Sequence, residues 1–240
     1  MSEQKFSIPQ ESARVLDENI SDLILYVRKN ELEILKLIKS AMLNRNIEWE
    51  ELSKYSILDF HRSNEANIFC LSKWNAEEKY QNIIRYIKYI CKNRQGKILD
   101  FGGGIGELTI NLASIGLDID FIEVPGKTLE FAKWKFKRRA LNINTYTSLN
   151  QLKERYDIII CLDVLEVLEK PMSHLKKFYQ LLNKNGILIL SVGDVGNKNH
   201  PMNLIQNKNF IDNLDIYCSE IGFIDSIFEN KFHLKIKAKI

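Results

Sequence analysis

Four glycines stand within residues 102–106, near the middle of the 240-residue chain. A short apolar run at 98–99 precedes them and ends at Asp100, and the apolar positions of a helix begin at Leu108. This order predicts a strand, a glycine turn and a helix. Because glycine lacks a Cβ atom, a ligand can contact the backbone there, and the unpaired N–H groups of a helix end face it. The stretch is typical of a cradle for a nucleotide-containing cofactor.

The spacing of these glycines discriminates between cofactors. The dinucleotide pattern G-x-G-x-x-G, started at Gly102, requires a glycine where Glu107 stands, and started at Gly103 it fails at Ile105. A diphosphate would also meet the Glu107 carboxylate. The spacing therefore excludes a dinucleotide-dependent oxidoreductase.

The pattern that is present is D-x-G-x-G-x-G, directly after Ile98 and Leu99. It resembles motif I of the class I S-adenosylmethionine-dependent methyltransferases, and the resemblance runs roughly from Gly96 to the C-terminus. It implies S-adenosylmethionine as cofactor and S-adenosylhomocysteine as product. This cofactor carries no phosphate, but it has an ammonium, a carboxylate, a sulfonium and a ribose with two hydroxyls.

Two acidic residues suit those groups. Asp100, at the end of the first strand, fits the cationic methionine portion. Glu123 ends a second strand, predicted over 118–124, at about the 20-residue separation that a βαβ unit gives a ribose-binding carboxylate. The residues predicted to bind the cofactor are Asp100, Gly102, Gly103, Gly104, Gly106, Glu123, Val124 and Asp163. Many members of the family place an aspartate after the third strand for adenine, where this chain has Ser148, Asn150 and Gln151.

Asp163 follows a near-continuous apolar run, 156–162, which predicts a strand buried on both faces. The segment D-V-L-E-V-L-E-K-P after it resembles the post-strand motif D-V-L-E-H-L of small-molecule methyltransferases, with Val167 where that motif has histidine. Glu166 is a candidate on the substrate side. Asp163 and Glu166 alone are a poor ligand set, so no metal is expected.

Further candidates surround the predicted acceptor site. Trp74 and Tyr80 precede the glycine loop where this family often closes over the cofactor, although they could equally be packing aromatics. Asp194 and His200 lie in the loop after the fifth strand, beyond the carboxyl end of the sheet, where ligands bind in open α/β folds. His200 is the candidate catalytic base, unless it only caps a turn before Pro201.

The chain is long enough for one α/β domain and a smaller appendage, since 45% of its residues are hydrophobic. Strand patterns and the resemblance together imply an α/β fold: a seven-stranded, mostly parallel sheet with helices on both faces and an antiparallel last strand. We predict an S-adenosylmethionine-binding domain over 76–240. Residues 1–75 are predicted to be a helical cap over the site or a dimerisation region, so a homodimer is possible.

Apolar stripes predict the helices of that N-terminal region. Its first two helices are expected to bury the stripes Leu16, Ile20, Leu23, Val27 and Leu32, Leu35, Ile38, Met42, with Asp22 off the buried face. Apolar residues from Ile47 to Phe60 continue the helical pattern. At the C-terminus, a helix over 204–221 and a hairpin are expected, with Lys237 on a solvated face.

A second crossover helix is predicted after Glu123, with Leu129, Ala132, Phe136 and Ala140 buried. Its basic residues, Lys133, Lys135, Lys137, Arg138 and Arg139, are expected to face outward, where they could hold RNA or simply be solvated. The net charge of +3 is too balanced to imply a nucleic-acid partner. Nucleic acid is therefore an unlikely partner.

The sequence contains no apolar run near the ~20 residues of a membrane helix and no signal-peptide pattern, which predicts a cytoplasmic protein without a membrane partner. The favoured function is methyl transfer to an oxygen or nitrogen of a small molecule or short peptide in biosynthesis. A tRNA, rRNA or protein methyltransferase and a catalytically idle partner subunit are the alternatives. The intact glycine loop and Glu123 argue against the last.

Overall fold

The structure, a computed structural model, describes residues 7–52, 62, 64–196 and 202–240. Helices and strands alternate after an N-terminal group of helices. The helices are α1 (Ile8–Val27), α2 (Glu31–Leu52), α3 (Ala66–Trp74), α4 (Glu78–Arg94), α5 (Glu107–Ala113), α6 (Lys127–Arg138), α7 (Pro171–Leu181), α8 (Lys208–Asp212) and α9 (Leu214–Ile221). The strands are β1 (Ile98–Phe101), β2 (Ile119–Ile122), β3 (Asn144–Tyr146), β4 (Tyr156–Leu162), β5 (Leu182–Ser191), β6 (Phe223–Asp225) and β7 (Lys235–Lys239).

The strands form one seven-stranded sheet in the order β3-β2-β1-β4-β5-β7-β6. Only β7 runs antiparallel to its neighbours within this sheet. Phe101 in β1 lies opposite Ile122 of β2 and Cys161 of β4, so these three strands end at nearly the same height. The residues that follow them therefore meet at one edge. The α/β fold class predicted from the sequence is confirmed.

The sheet is buried on both faces because its central strands alternate apolar side chains between two clusters. Ile158 and Ile160 of β4 pack with α4 and α5, while Ile159 and Cys161 pack with α7 and α9. This is the packing expected of a continuous apolar strand. All four cysteines of the chain are buried.

The N-terminal helices pack against α6. Within residues 31–43 of α2, Ile34, Ile38 and Ala41 are buried and Met42 packs against the same cluster, whereas Leu32 and Leu35 are 63% and 43% exposed. The predicted stripe of α2 was therefore right at Ile38 and Met42 and wrong at Leu32 and Leu35. The helix also continues through Ile47 to Leu52, and residues 53–60 of the predicted Ile47–Phe60 segment lie outside the described residues.

Charged residues form the other departures from the sequence pattern. Asp22, predicted off the buried face of α1, is fully buried, because Arg138 and Arg139 of α6 both donate to its carboxylate. Lys135, predicted to face outward, is fully buried, because Glu107 of α5 pairs with its ammonium. A helical wheel treats each charge as solvated and cannot anticipate a partner from a distant helix.

The structure differs from the prediction in three further places. The helix expected over 204–221 is interrupted at Asn213, between α8 and α9. Lys237 is 7% exposed rather than solvated, because its ammonium binds Asp215 and Asp225. Ala140 is exposed, since α6 ends at Arg138 and Ala140 adopts a left-handed conformation with φ of 53°. Across the described ranges, no helix combines the length and apolarity needed to cross a bilayer.

Candidate active site

A cavity of about 1710 Å³ opens along the edge where β1, β2, β4 and β5 end. The glycine loop and the residues after these strands form its floor. Side chains of α2, α3 and α4, including Leu71, Trp74 and Tyr80, also line it. The cavity thus lies at the carboxyl end of the sheet, where ligands bind in open α/β folds.

The glycine loop requires its glycines for two reasons. Gly102 and Gly104 have φ angles of 70° and 58°, a backbone conformation that residues other than glycine rarely adopt. A Cβ atom at Gly103 would lie 2.5 Å from Oδ2 of Asp100, so no larger residue fits there. A Cβ atom at Gly104 would meet only Leu71 Cδ1, at 3.3 Å. Gly104 is therefore the position where the backbone is open to the cavity.

Gly106 has a different position from the other loop glycines. It has a φ of 76° at the start of α5, and a Cβ atom there would lie 2.5 Å from the ring of Phe136. It is absent from the described cavity lining, which includes Gly102, Gly103 and Gly104. Its place in the structure is the contact between α5 and α6.

Glu123 joins the second strand to the glycine loop. Its Oε2 accepts a hydrogen bond from the backbone N–H of Gly104, and its Oε1 accepts from that of Val124, both at 2.8 Å. Burial raises the pKa of this carboxyl to about 7, against the lowering effect of the two N–H donors. Glu123 and Val124 both line the cavity.

Asp100 is the more deeply buried carboxyl, at 3% exposure. Its Oδ2 accepts a hydrogen bond of 2.6 Å from the hydroxyl of Thr109. Burial raises the pKa of Asp100 to about 6, because a desolvated carboxylate is disfavoured. A cationic ligand in the cavity would stabilise the charged form of both Asp100 and Glu123.

Two further carboxyls follow β4. Asp163 is exposed, and its backbone has a left-handed conformation with a φ of 53°. Its carboxylate accepts a hydrogen bond of 2.7 Å from the hydroxyl of Ser191. Glu166 is 2% exposed, and its Oε1 accepts from the backbone N–H of Gly193 at 2.8 Å. Its Oε2 has no hydrogen-bond partner among the residues that the structure describes. Burial, followed by the neighbouring charge of Asp163, raises the pKa of Glu166 to about 8.

The backbone of Glu166 is held in place from the segment after β5. The side-chain amide of Asn207 donates to the Glu166 carbonyl at 2.9 Å, and the backbone N–H of Leu204 donates to it at 3.0 Å. This arrangement fixes a largely protonated carboxyl at the cavity wall at neutral pH.

The structure brings the other predicted substrate-side residues to the same cavity. Trp74, Tyr80 and Asp194 all line it. Burial and, second to it, the negative charge of Asp100 raise the pKa of Tyr80 well above its usual value, so this side chain remains a neutral phenol. His200, the predicted base, lies outside the described residues.

Several cavity residues were missed in the sequence, among them three with rings. Phe232 and His233, which fall in the predicted hairpin, instead form a turn with φ angles of 55° and 64° and line the cavity. His174 lines it from α7, with Nδ1 at 2.9 Å from the Lys170 carbonyl. Consecutive left-handed residues give no signal in an alternating pattern. Ser148 and Asn150, noted at the adenine position, also line the cavity.

No cluster of three or more His, Cys, Asp or Glu side chains suited to a metal ion occurs in residues 7–52, 62, 64–196 and 202–240. The described lining combines carboxyls, backbone amides, aromatic rings and aliphatic side chains with amides, hydroxyls, two histidines and four lysines, which are Lys79, Lys170, Lys176 and Lys177.

The sheet order and the glycine loop define a Rossmann-like fold of the class I S-adenosylmethionine-dependent methyltransferases. A family model described as a methyltransferase domain matches residues 73–210, more than half of the chain. The chain belongs to this methyltransferase family, which confirms the family predicted from the glycine motif and, with it, the cofactor class.

Curated relatives include ubiquinone biosynthesis O-methyltransferases. The protein of Rickettsia canadensis is 28% identical over 153 residues, which cover 61% of this chain and 64% of the relative. That of Coxiella burnetii is 27% identical over 158 residues, covering 61% and 63%. The chain thus spans just under two thirds of the length of these relatives.

Solved structures support the fold. An O-methyltransferase family protein from Burkholderia thailandensis superposes with a TM-score of 0.59 at 12% identity, covering 85% of this chain and 71% of that one. A magnesium protoporphyrin IX methyltransferase from Synechocystis, solved with bound S-adenosylmethionine, gives 0.53 at 20% identity, covering 71% and 84%. At these identities the likeness concerns the fold alone.

Proposed function

We propose that this chain transfers a methyl group from S-adenosylmethionine to a hydroxyl oxygen of a small, largely apolar molecule. The observation that carries the proposal is one cavity that combines the open backbone at Gly104, the carboxyls of Asp100 and Glu123, and apolar side chains that include Leu71 and Trp74. The names of the curated relatives support oxygen as the methylated atom.

The residues present fit this cofactor. Asp100 and Glu123 suit its cationic methionine portion and its ribose, respectively, whereas a diphosphate would be repelled by both. Each oxygen of Glu123 accepts one backbone N–H and keeps a second lone pair for a ribose hydroxyl. When bound, S-adenosylmethionine supplies a sulfonium methyl already activated for displacement.

The apolar residues of the cavity favour an acceptor with apolar surface. They include Met42, Leu71, Trp74, Ile83, Val192, Met202 and Phe232. Side chains of this kind exclude water and hold an acceptor by its apolar surface, and the polar groups of the lining orient it. We infer that these residues align the acceptor hydroxyl, which is the main task left to the protein.

A hydroxyl acceptor must also lose its proton. We propose Glu166 for this role, because it lines the cavity and its Oε1 is fixed by Gly193, while its buried Oε2 has no hydrogen-bond partner among the described residues. In its ionised form it can accept the proton at Oε2, and the pKa of about 8 predicts that this form increases as the pH rises through that value. His200 stays a second candidate for the same step.

The basic residues of the second crossover helix offer an RNA less than the sequence suggests. Lys135 is buried against Glu107, Arg138 and the following Arg139 are paired with Asp22, and Lys133 and Lys137 remain exposed. Four lysines also line the cavity, Lys79, Lys170, Lys176 and Lys177, so transfer RNA belongs among the acceptors tested.

The test is to incubate the protein with S-adenosylmethionine that carries a ¹³C-labelled methyl group and with a panel of phenols, catechols, amines, thiols and transfer RNA. The methyl chemical shift of the product identifies the methylated atom, and a Gly104→Val variant is the negative control. We expect an O-methyl product from a phenol or catechol. Label only on nitrogen, sulfur or RNA, or no transfer to any acceptor, would contradict the proposal.

A further inference from the structure

The glycine loop and the N-terminal helices share one hydrophobic core. Ile105 carries the only side chain beyond glycine within residues 102–106, and it is fully buried. It belongs to a cluster with Leu23 of α1, Ile34 and Ile38 of α2, Ile68 and Phe69 of α3, and Phe131 of α6. The loop is therefore attached by its one side chain to a core that the N-terminal helices largely build.

A buried polar network reinforces the same attachment. The ammonium of Lys135 donates to Oε2 of Glu107 at 3.0 Å and to Oδ1 of Asn19 at 3.2 Å. Glu107 is the first residue of α5, directly after the loop, and Asn19 lies on α1. Asn19 also donates to the carbonyl of Ser72 on α3, at 3.0 Å. The network thus runs from α1 and α3 to the end of the glycine loop.

Direct packing limits the loop at one more point, because the ring of Phe136 of α6 leaves no room for a Cβ atom at Gly106. The loop needs such support because three of its glycines have φ angles between 58° and 76°, and glycine is the residue that loses most conformational freedom on ordering.

We propose that helices α1 to α3 support the glycine loop in its cofactor-binding conformation, with Ile105 and Lys135 as the positioning residues. This role is distinct from that of a lid or a dimer contact, because the contacts reach the back of the loop rather than its open side at Gly104. The consequence for cofactor affinity rests on the proposed function. The consequence for the order of the loop does not.

The first test compares Ile105→Ala with Ile90→Ala, a matched control that removes the same atoms from a fully buried isoleucine in a different cluster, on α4. Amide hydrogen exchange of residues 102–106 is measured without ligand, and S-adenosylhomocysteine affinity by calorimetry. We expect Ile105→Ala to exchange faster and to bind about tenfold more weakly, within the range found for residues that couple to a site without contacting its ligand. Ile105→Val should recover most of both.

The second test removes the ion pair without leaving a buried charge, in the double variant Lys135→Met with Glu107→Gln. Replacing a buried ion pair by neutral groups often leaves folding stability nearly unchanged, so this variant remains informative if Ile105→Ala does not fold. We expect faster exchange in 102–106 and weaker binding.

Faster exchange and weaker binding in either variant, but not in Ile90→Ala, support the proposal. Wild-type exchange in every folded variant, or equal changes in Ile90→Ala, overturn it. If the wild-type protein binds no S-adenosylhomocysteine, the proposed function fails, and the exchange rates still decide whether the N-terminal helices hold the loop.

Discussion

Glu123→Gln isolates the carboxyl that joins the second strand to the glycine loop. Glutamine keeps the shape of the side chain but has one acceptor oxygen, so either the N–H of Gly104 or that of Val124 loses its acceptor at 2.8 Å. A hydrogen bond to a charged group contributes ~1.5–3 kcal/mol. Losing one such bond to a ribose hydroxyl should weaken S-adenosylhomocysteine binding by about 10- to 150-fold.

Calorimetric titration measures this loss, and Glu130→Gln is the matched control. Glu130 is exposed on α6, where it pairs with Lys127, so its replacement removes the same charge away from the cavity and should leave affinity within about twofold of wild type. An analogue without the two ribose hydroxyls should bind wild type and Glu123→Gln nearly equally. Unchanged affinity of Glu123→Gln for S-adenosylhomocysteine would refute the assigned role of Glu123.

Three other substitutions test separate parts of the account. Gly104→Val should abolish S-adenosylhomocysteine binding in calorimetry, whereas Gly116→Val, which strains a turn with φ of 83° in open space, should keep it. Glu166→Gln should lower kcat with little change in cofactor affinity. In the wild type, kcat should rise towards pH 8 as the Glu166 carboxyl ionises, and this rise should be absent from the variant. A variant with the pH profile of the wild type would exclude Glu166 as the proton acceptor. Asp22→Asn should lower the Tm by about 5–10 °C, because it weakens two charged hydrogen bonds of a buried carboxylate. Glu18→Gln, in an exposed pair, should lower it by about 2 °C at most, and equal losses would show that the Asp22 pairs do not anchor α1.

Local pattern carried the prediction of the sheet. The strand predicted over 156–162 has the same bounds as β4 in the structure, because a strand buried on both faces is a nearly continuous apolar run. The glycine spacing and Glu123 also indicated their shared edge, since parallel strands joined by one crossover helix place their carboxyl ends side by side.

Contacts between residues distant in the sequence determine the features that the local hydrophobic pattern did not predict. Lys135 and Asp22 read as solvated charges, yet both are buried, because the partners that compensate them stand on other helices, 28 or more positions away. The turn that brings His233 to the cavity depends on two left-handed residues within an alternating segment. Neither feature can be read from a window of neighbouring residues.

The central claim is that carboxyls at the ends of β1 and β2 hold a phosphate-free, cationic nucleoside cofactor. Calorimetric titration of the wild-type protein with S-adenosylhomocysteine and, in parallel, with NAD tests it most directly. We expect one S-adenosylhomocysteine site per chain and no binding of NAD. Saturable binding of NAD, or no binding of S-adenosylhomocysteine by the folded protein, would contradict the claim.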